Sequence, residues 1–196
     1  MLSEYATAHL RAGGRSVRAL LASVTLWLAV DAHAHAAEAL VTEAVVNAPI
    51  DTVWALFTTA AGYQELGAAK ADVDLRIGGL VRTHADAGGT LGDENSMARE
   101  LLAFDPPHML ASRPTQVPAA FANRDAFLKT WTVIYFNSIA GATTHVRVVT
   151  LGYDDSAPSQ AARAATEQRH RATLDRLVKR YRPQCAHCAQ PHDDAK

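Results

Sequence analysis

The sequence predicts an α+β fold in which an antiparallel sheet packs against one long C-terminal helix. Three observations favour it. Strand-like segments are grouped rather than alternating with helices, two short helical segments follow the first strand, and the longest helical segment comes last, at residues 160–181. Strands grouped in this way pair antiparallel, and such a sheet must bury one face. A sheet that curls around the final helix leaves a cavity between them.

The composition is that of one globular domain. The chain has 196 residues, of which 48% are hydrophobic and 20% charged, and its formal net charge is −1. These fractions exclude disordered, collagen-like and coiled-coil classes. The balanced charge provides no general attraction to nucleic acid or to an anionic membrane, so we expect no nucleic-acid partner. Two cysteines cannot form a disulfide-dense scaffold.

The first 36 residues have the pattern of a secretory signal. Arg11, Arg15 and Arg18 precede an apolar run at 19–30, and residues 34–36 read Ala-His-Ala, the small–any–small pattern of a cleavage site. The apolar run is shorter than the roughly 20 residues needed to span a bilayer. The sequence therefore predicts export, to the periplasm or outside the cell, of a mature protein without a transmembrane segment. A buried N-terminal helix is the alternative.

The elements follow in order along the mature chain. A first strand is predicted at 40–46, and Pro49 fits the first turn of the short helix after it, where its missing N–H costs nothing. The apolar stripe of that helix is Val53, Trp54 and Phe57. A second short helical stretch is predicted at 59–66.

The remaining elements are strands and the final helix. The strand candidates are 71–76, 80–84, 97–104, 108–112, 129–137 and 143–151. Residues 114–125 contain Pro118 and are predicted to form a loop near a pocket rim. The final helix has no Pro or Gly, and its inward stripe at helical spacing is Leu174, Leu177, Val178 and Tyr181.

Several segments in this order resemble a known superfamily. They are VVNAPIDTVW at 45–54, TTAAGY at 58–63, VDLRIGG at 73–79, LAFDPPHML at 102–110, the strand at 144–153 and the closing helix with Leu174 and Leu177. Together they resemble the START/Bet v 1-like (SRPBCC) superfamily, in its Hsp90-ATPase-activator-homologue-like branch. The resemblance covers residues 40–181 and implies a helix-grip fold. In that fold a curved antiparallel sheet wraps around the long helix and encloses an apolar cavity.

Two departures from the superfamily pattern concern the cavity. Leu66 stands where members often carry Trp, and the first half of the last helix has Thr166, Glu167 and His170 where aromatic residues and Asn are commoner. These smaller or more polar side chains imply a pocket that is more open or more polar than usual. The superfamily has no shared catalytic residues, so the resemblance implies a fold rather than a reaction.

The candidate cavity residues come from strand alternation and from the resemblance. Residues 146 and 148 share one strand face, and 131, 133 and 135 share a face of the neighbouring strand. The candidates are Trp54, Phe57, Leu66, Trp131, Val133, Tyr135, Val146, Val148 and Leu174. The alternative is that these side chains are ordinary core.

The catalytic signal is weak. Arg82, His84 and Asp86 alternate onto one strand face, where His84 and a carboxylate could form a general acid–base pair. We interpret this face instead as a solvated outer face with modest cross-strand pairing. Asp72 and Asp74 share a face and are interpreted as surface acids rather than a cation site. The sequence contains none of the HExxH, GxSxG, Walker or GxGxxG motifs.

The C-terminal tail at 183–196 carries Cys185 and Cys188 in a CxxC spacing, followed by His192. These three residues could bind a soft metal ion, but a disulfide competes with metal in an exported protein. We interpret the tail as a flexible segment and predict no cofactor. The basic residues of the last helix are interpreted as a solvated face rather than as a surface for lipid or nucleic acid.

The sequence therefore predicts an exported protein that holds a small apolar or amphipathic molecule in a helix-grip cavity. The first alternative is a cyclase- or hydrolase-type enzyme that uses the same cavity. The second is a chaperone-cofactor-like interaction module, which conflicts with export because Hsp90-type machines are cytosolic. The sequence does not specify the oligomeric state.

Overall fold

The computed structural model describes residues 38–140 and 142–182. Within them the chain forms seven strands and four helices. In order they are β1 (Leu40–Val46), α1 (Ile50–Thr58), α2 (Ala60–Glu65), β2 (Lys70–Val73), β3 (Leu80–His84), β4 (Met97–Asp105), β5 (Met109–Gln116), α3 (Arg124–Leu128), β6 (Trp131–Ser138), β7 (Thr144–Leu151) and α4 (Ala157–Arg180). The predicted signal at 1–36 and the residues Cys185, Cys188 and His192 lie outside the described residues.

The strands form one antiparallel sheet in the order β1-β7-β6-β5-β4-β3-β2. The first and last strands are neighbours, and α1 and α2 carry the chain from β1 to β2 at the opposite edge. The sheet curves, and the long helix α4 follows its last strand. The helix-grip fold class predicted from the sequence is confirmed, including the two short helices after the first strand.

The alternation of burial along β1 explains why that strand could be predicted. Leu40, Thr42 and Val46 are buried, whereas Val41 and Val45 expose 40% and 49% of their surface. The strand pairs with β7 along its whole length, from Leu40 opposite Thr150 to Val46 opposite Thr144. One face of the sheet therefore packs inward, and the other meets solvent.

The end of β5 corrects the prediction of a loop from residue 114. The strand continues through Pro114, which is buried and lies opposite Arg99 of β4. The pairing of β5 with β6 ends at Ser112, so beyond that residue one side of β5 has no strand partner. The register with β4 also shifts between Ala98 and Arg99. A proline is tolerated at such a place because no ladder hydrogen bond requires its missing N–H.

The short helix α3 was not predicted. It has five residues, too few to show helical periodicity in the sequence. Phe127 is its buried residue, and its ring lies 4.9 Å from that of Phe121 between centroids. Thr130 closes the helix by donating its hydroxyl to the carbonyl oxygen of Phe127 at 2.7 Å. The helix thus depends on tertiary burial rather than on local propensity.

The main core lies where the C-terminal half of α4 meets the sheet and α1. Leu174 and Leu177 are 4% and 1% exposed and belong to the same cluster as Phe57 and Phe136. The N-terminal half of α4 instead buries the small or polar residues Ser159, Ala162 and Thr166. The two halves of the helix therefore fill space to different extents.

The outer face of α4 is charged and exposed. Arg171 lies 2.6 Å from Glu167 of the same helix, and Arg180 lies 2.9 Å from Glu65 of α2. Exposed pairs of this kind contribute little to stability, typically less than about 1 kcal/mol. No helix in the described part of the chain combines the length and apolar composition needed to cross a membrane.

We expect Leu177→Ala to lower the free energy of unfolding by about 2–5 kcal/mol, because it removes a fully buried side chain and leaves a cavity. Gln168→Ala is the matched control on the exposed face of the same helix and should change it by less than about 0.5 kcal/mol. Urea denaturation followed by circular dichroism measures both. Equal losses in the two variants would contradict the packing of α4.

Candidate functional site

A cavity of about 360 Å³ lies between the inner face of the sheet, the residues that follow α2 and one face of α4. Most of its wall is apolar. The apolar lining residues are Phe57, Leu66, Ala68, Val81, Ala85, Met97, Leu110, Phe127, Ile134, Val148 and Leu174. Hydroxyl, imidazole and guanidinium groups complete the wall, and none of its residues is Asp or Glu.

The composition of α4 explains why this space is not filled by side chains. The helix turns Thr166, Arg169, His170, Thr173 and Leu174 toward the cavity, at the spacing of one helical face. Only the last of these is a large apolar residue. Thr166 satisfies its hydroxyl within the helix by donating to the carbonyl oxygen of Ala162 at 2.8 Å, so it does not reach across to the sheet. The cavity thus begins at the point along α4 where large apolar side chains give way to small or polar ones.

Four of the nine predicted cavity residues line this space. They are Phe57 of α1, Leu66 after α2, Val148 of β7 and Leu174 of α4. Four separate elements thus contribute to one wall.

Two further candidates lie in the core instead. Val146 is fully buried and belongs to the main core cluster. Trp54 packs edge-on against Phe136, with ring centroids 5.6 Å apart. Neither side chain lines the cavity.

The predicted inward face of β6 was wrong. Thr132 and Ile134 line the cavity, whereas Trp131, Val133 and Tyr135 lie on the opposite face of the strand. Trp131 and Tyr135 are 41% and 38% exposed. The segment is apolar or aromatic on both faces, so alternation alone did not distinguish them. The inward hydroxyl of Thr132 is satisfied by that of Thr150 on β7, 3.0 Å away.

Arg99 of β4 is a cavity residue that the sequence analysis missed. It lies opposite Val81 in the sheet register, and both line the cavity. Its Nε donates to the hydroxyl of Ser112 at 3.0 Å, and its Nη2 donates to the carbonyl oxygen of the same residue at 3.4 Å. Burial lowers the pKa of Arg99, an effect opposed by the nearby Tyr63 and Tyr153. Arginine has a pKa high enough to remain a cation despite this shift.

Arg169 of α4 is the second cation on the cavity wall. Its guanidinium carbon lies 4.4 Å from the centroid of the Phe121 ring and 5.2 Å from that of Phe127. Its Nη2 donates to the hydroxyl of Thr166 at 3.1 Å. Burial lowers the pKa of this residue too. The aromatic rings and the hydroxyl hold the guanidinium in place, and neither neutralises its charge.

His170 lies beside these arginines and is neutral at pH 7. Burial, followed by the charges of Arg99 and Arg169, lowers its pKa from 6.5 to about 4. Its Nδ1 is buried without a hydrogen-bond partner in the described residues. A buried polar atom of this kind carries a desolvation cost that a bound molecule could relieve.

His84 lines the cavity at the end of β3 and is buried, so its interpretation as part of a solvated outer face was wrong. Its Nδ1 lies 2.8 Å from the carbonyl oxygen and 2.9 Å from the backbone nitrogen of Asp86, so the tautomer decides whether it donates or accepts. Its Nε2 lies 3.3 Å from a carboxylate oxygen of Asp93. Gly89 lies against the ring, where a Cβ would collide with the imidazole. The carboxylate that accompanies His84 is thus Asp93, rather than the predicted Asp86 side chain.

The acidic residues considered for a cation are engaged in ion pairs. Asp74 lies 2.7 Å from Arg76, and Asp72 lies 3.3 Å from Arg82. Within residues 38–140 and 142–182, no three His, Cys, Asp or Glu side chains come together as a metal site would require. The exposed location of these pairs agrees with their interpretation as surface acids.

Comparison with protein families connects this architecture to one of them. The family model described as polyketide cyclase / dehydrase and lipid transport matches residues 38–182. The match spans all the described elements, from β1 to the end of α4. The comparison with curated proteins gave no match.

Several solved structures share the fold. Protein MLL2253 from Mesorhizobium loti superposes with a TM-score of 0.57 and 19% identity, over 72% of this chain and 95% of that chain. The Aha1 dimer from Colwellia psychrerythraea superposes with a TM-score of 0.53 and 10% identity, over 72% of this chain and 96% of that chain. The di-domain ARO/CYC BexL from the BE-7585A biosynthetic pathway superposes with a TM-score of 0.57 and 18% identity, over 72% of this chain and 45% of that chain. At these identities the likeness shows the fold alone.

The pKa of His170 leads to a pH-dependent stability. The folded protein binds the His170 proton only near pH 4, whereas the unfolded chain binds it near pH 6.5. Between these values the unfolded state holds more protons, so we expect stability to fall as the pH is lowered from 6.5 to 4. The contribution of one proton is at most about 1.4 kcal/mol per pH unit.

Urea denaturation at several pH values between about 4.5 and about 7 measures this slope. His170→Gln should reduce the slope, whereas His108→Gln, at an exposed turn, is the control and should leave it as in the unaltered protein. If the slope in His170→Gln equals that of the unaltered protein, the buried neutral imidazole is contradicted.

Proposed function

The chain belongs to the polyketide cyclase / dehydrase and lipid transport family, and we propose that it binds a small amphipathic molecule in the cavity between α4 and the sheet. The observation that carries the proposal is the cavity itself. Its volume of about 360 Å³ falls within the range of small-molecule sites, roughly 300–1,000 Å³. An apolar wall with a few convergent polar groups is the usual character of such sites.

The driving force for binding would be desolvation of apolar surface. Leu110, Ile134 and Val148 offer aliphatic surface that is already held in position by the sheet. A ligand that covers this surface removes it from water at about 25 cal/mol per Å². Because the wall belongs to regular strands and a helix, little ordering cost opposes binding.

We also propose that the domain acts after export. The support is the Arg-flanked apolar run at 19–30 and the Ala-His-Ala pattern at 34–36. A ligand-binding domain of this kind would meet molecules of the periplasm or of the surroundings of the cell.

The export proposal predicts the N-terminus of the mature protein. N-terminal sequencing of the soluble protein from its own host should give a start near Ala37. An intact Met1 on that product would overturn it.

A second candidate function is catalysis in the same cavity. The specific observation in its favour is His84, which lines the cavity with Nε2 3.3 Å from the Asp93 carboxylate. Histidine and a carboxylate are residue types that general acid–base catalysis uses. The two functions differ in one measurable respect, which is whether the bound molecule leaves chemically unchanged. Native mass spectrometry of the purified protein, followed by extraction and incubation of the bound molecule, makes that distinction.

Filling the cavity tests the binding function. Thr173→Trp places a large ring on the cavity face of α4, and Ala172→Trp places the same ring at the adjacent exposed position. We expect the first to weaken binding of N-phenyl-1-naphthylamine, a neutral fluorescent probe, by at least about tenfold, equivalent to roughly 1.4 kcal/mol.

Fluorescence titration measures the affinity, and circular dichroism confirms that each variant is folded. The Ala172→Trp control should bind the probe as the unaltered protein does. Equal affinity in a folded Thr173→Trp variant would place the binding site elsewhere. Failure of the unaltered protein to bind the probe would mean that the cavity does not take apolar molecules.

A further inference from the structure

The charge of the cavity wall is unbalanced. Two arginines, Arg99 and Arg169, line it, and no Asp or Glu does. Six other arginines of the described residues are paired with carboxylates, among them Arg113 with Glu100 at 2.7 Å and Arg147 with Glu43 at 2.9 Å. The two cavity arginines make no such pair within residues 38–140 and 142–182.

The two cavity arginines, Arg99 partly buried and Arg169 more exposed, keep unused donors. A guanidinium has five N–H donors in a planar fork. Arg99 directs one from Nε and one from Nη2 to Ser112, and no acceptor in the described residues pairs with its Nη1. Arg169 makes one side-chain hydrogen bond, to Thr166, while Phe121 and Phe127 hold its plane. Each arginine is thus oriented by neutral groups.

This arrangement carries an energetic cost in the absence of a ligand. Burial of a cation without a counterion is unfavourable, as it is for Arg99, and the nearby charge of the more exposed Arg169 repels that of Arg99. The neutral His170 adds a buried Nδ1 that has no partner in the described residues. An anion in the cavity would relieve all three costs, because it would accept hydrogen bonds and neutralise charge.

We propose that the molecule bound in the cavity is an organic acid whose carboxylate is held by Arg99 and Arg169 and whose apolar part lies against Leu110, Ile134 and Val148. This inference rests on the proposed binding function and adds the charge of the ligand to it. A carboxylate suits the site because it matches the planar fork of arginine and can accept two parallel hydrogen bonds. His170 can donate a further hydrogen bond from Nδ1 in the tautomer that carries the proton there.

The test compares three probes with the same ten-carbon chain: decanoate, decanol and decyl phosphate. Isothermal titration calorimetry at pH 7 and low ionic strength gives their dissociation constants. We expect decanoate to bind at least about tenfold more tightly than decanol, as charge-assisted hydrogen bonds in a partly buried site would produce. Decyl phosphate should bind less tightly than decanoate.

Substitution of each arginine identifies the groups that bind the carboxylate. Arg99→Met and Arg169→Met keep much of the side-chain volume and remove the charge. Each should weaken decanoate binding by about tenfold and leave decanol binding within about twofold. Arg171→Met is the matched control, since Arg171 lies on the same helix, is exposed and pairs with Glu167 outside the cavity. It should leave the affinity for both probes unchanged.

The outcomes separate this inference from the proposed function. If decanoate and decanol bind equally well, the cavity binds apolar molecules regardless of their charge. Only the inference that the ligand is a carboxylate then fails. If neither binds, and the neutral naphthylamine probe does not bind, the proposed function fails. Tighter binding of decyl phosphate than of decanoate would overturn the carboxylate in favour of a phosphate. If one arginine variant does not fold, the other variant and the decanoate-to-decanol ratio of the unaltered protein still decide.

Discussion

The rest of the structure depends on one constraint, which is that a single helix must cover the inner face of a curved seven-stranded sheet. Helix α4 does so unevenly. Its C-terminal half brings Leu174 and Leu177 into the core, and their burial holds the helix to α1 and the sheet. Its N-terminal half packs Ala162 against Leu40 and Tyr153 and brings only the small Thr166 to the cavity wall. The cavity follows directly from this change in side-chain size along one helix.

The same cavity explains how two cations are accommodated at its wall, Arg99 partly buried and Arg169 more exposed. In a close-packed core, the guanidinium groups of Arg99 and Arg169 would need carboxylate partners. Beside an open space they can face water or a bound molecule, and the orienting contacts come from Ser112, Phe121 and Phe127. An apolar space with an unbalanced positive wall is suited to binding an anion with an apolar body. An unfilled cavity lowers the stability of the fold, and this cavity has the character of a binding site. Both points support the proposed function.

Much of the fold could be predicted because its elements carry strong local patterns. The first strand is rich in Val and Thr, which favour strands, and residues 160–181 lack any helix-breaking residue. Pro114 misled the prediction, because its place in a strand depends on where β6 stops pairing with β5. The helix α3 was missed because five residues carry no periodicity and its stability comes from burial of Phe127. Both errors concern segments whose conformation depends on partners distant in sequence.

By itself, the sequence determined the fold class, the family resemblance and four residues of the cavity wall, Phe57, Leu66, Val148 and Leu174. Apolar spacing is a local property of the chain, so these features were present before any tertiary contact was known. The tertiary structure decided which face of β6 points inward and that Arg99 and His84 line the cavity. In a strand that is apolar on both faces, the local sequence does not indicate which side chains point inward. The same holds for a polar residue at a strand end or beside a register shift. Their orientation is set by the neighbouring strands and by the space that α4 leaves open.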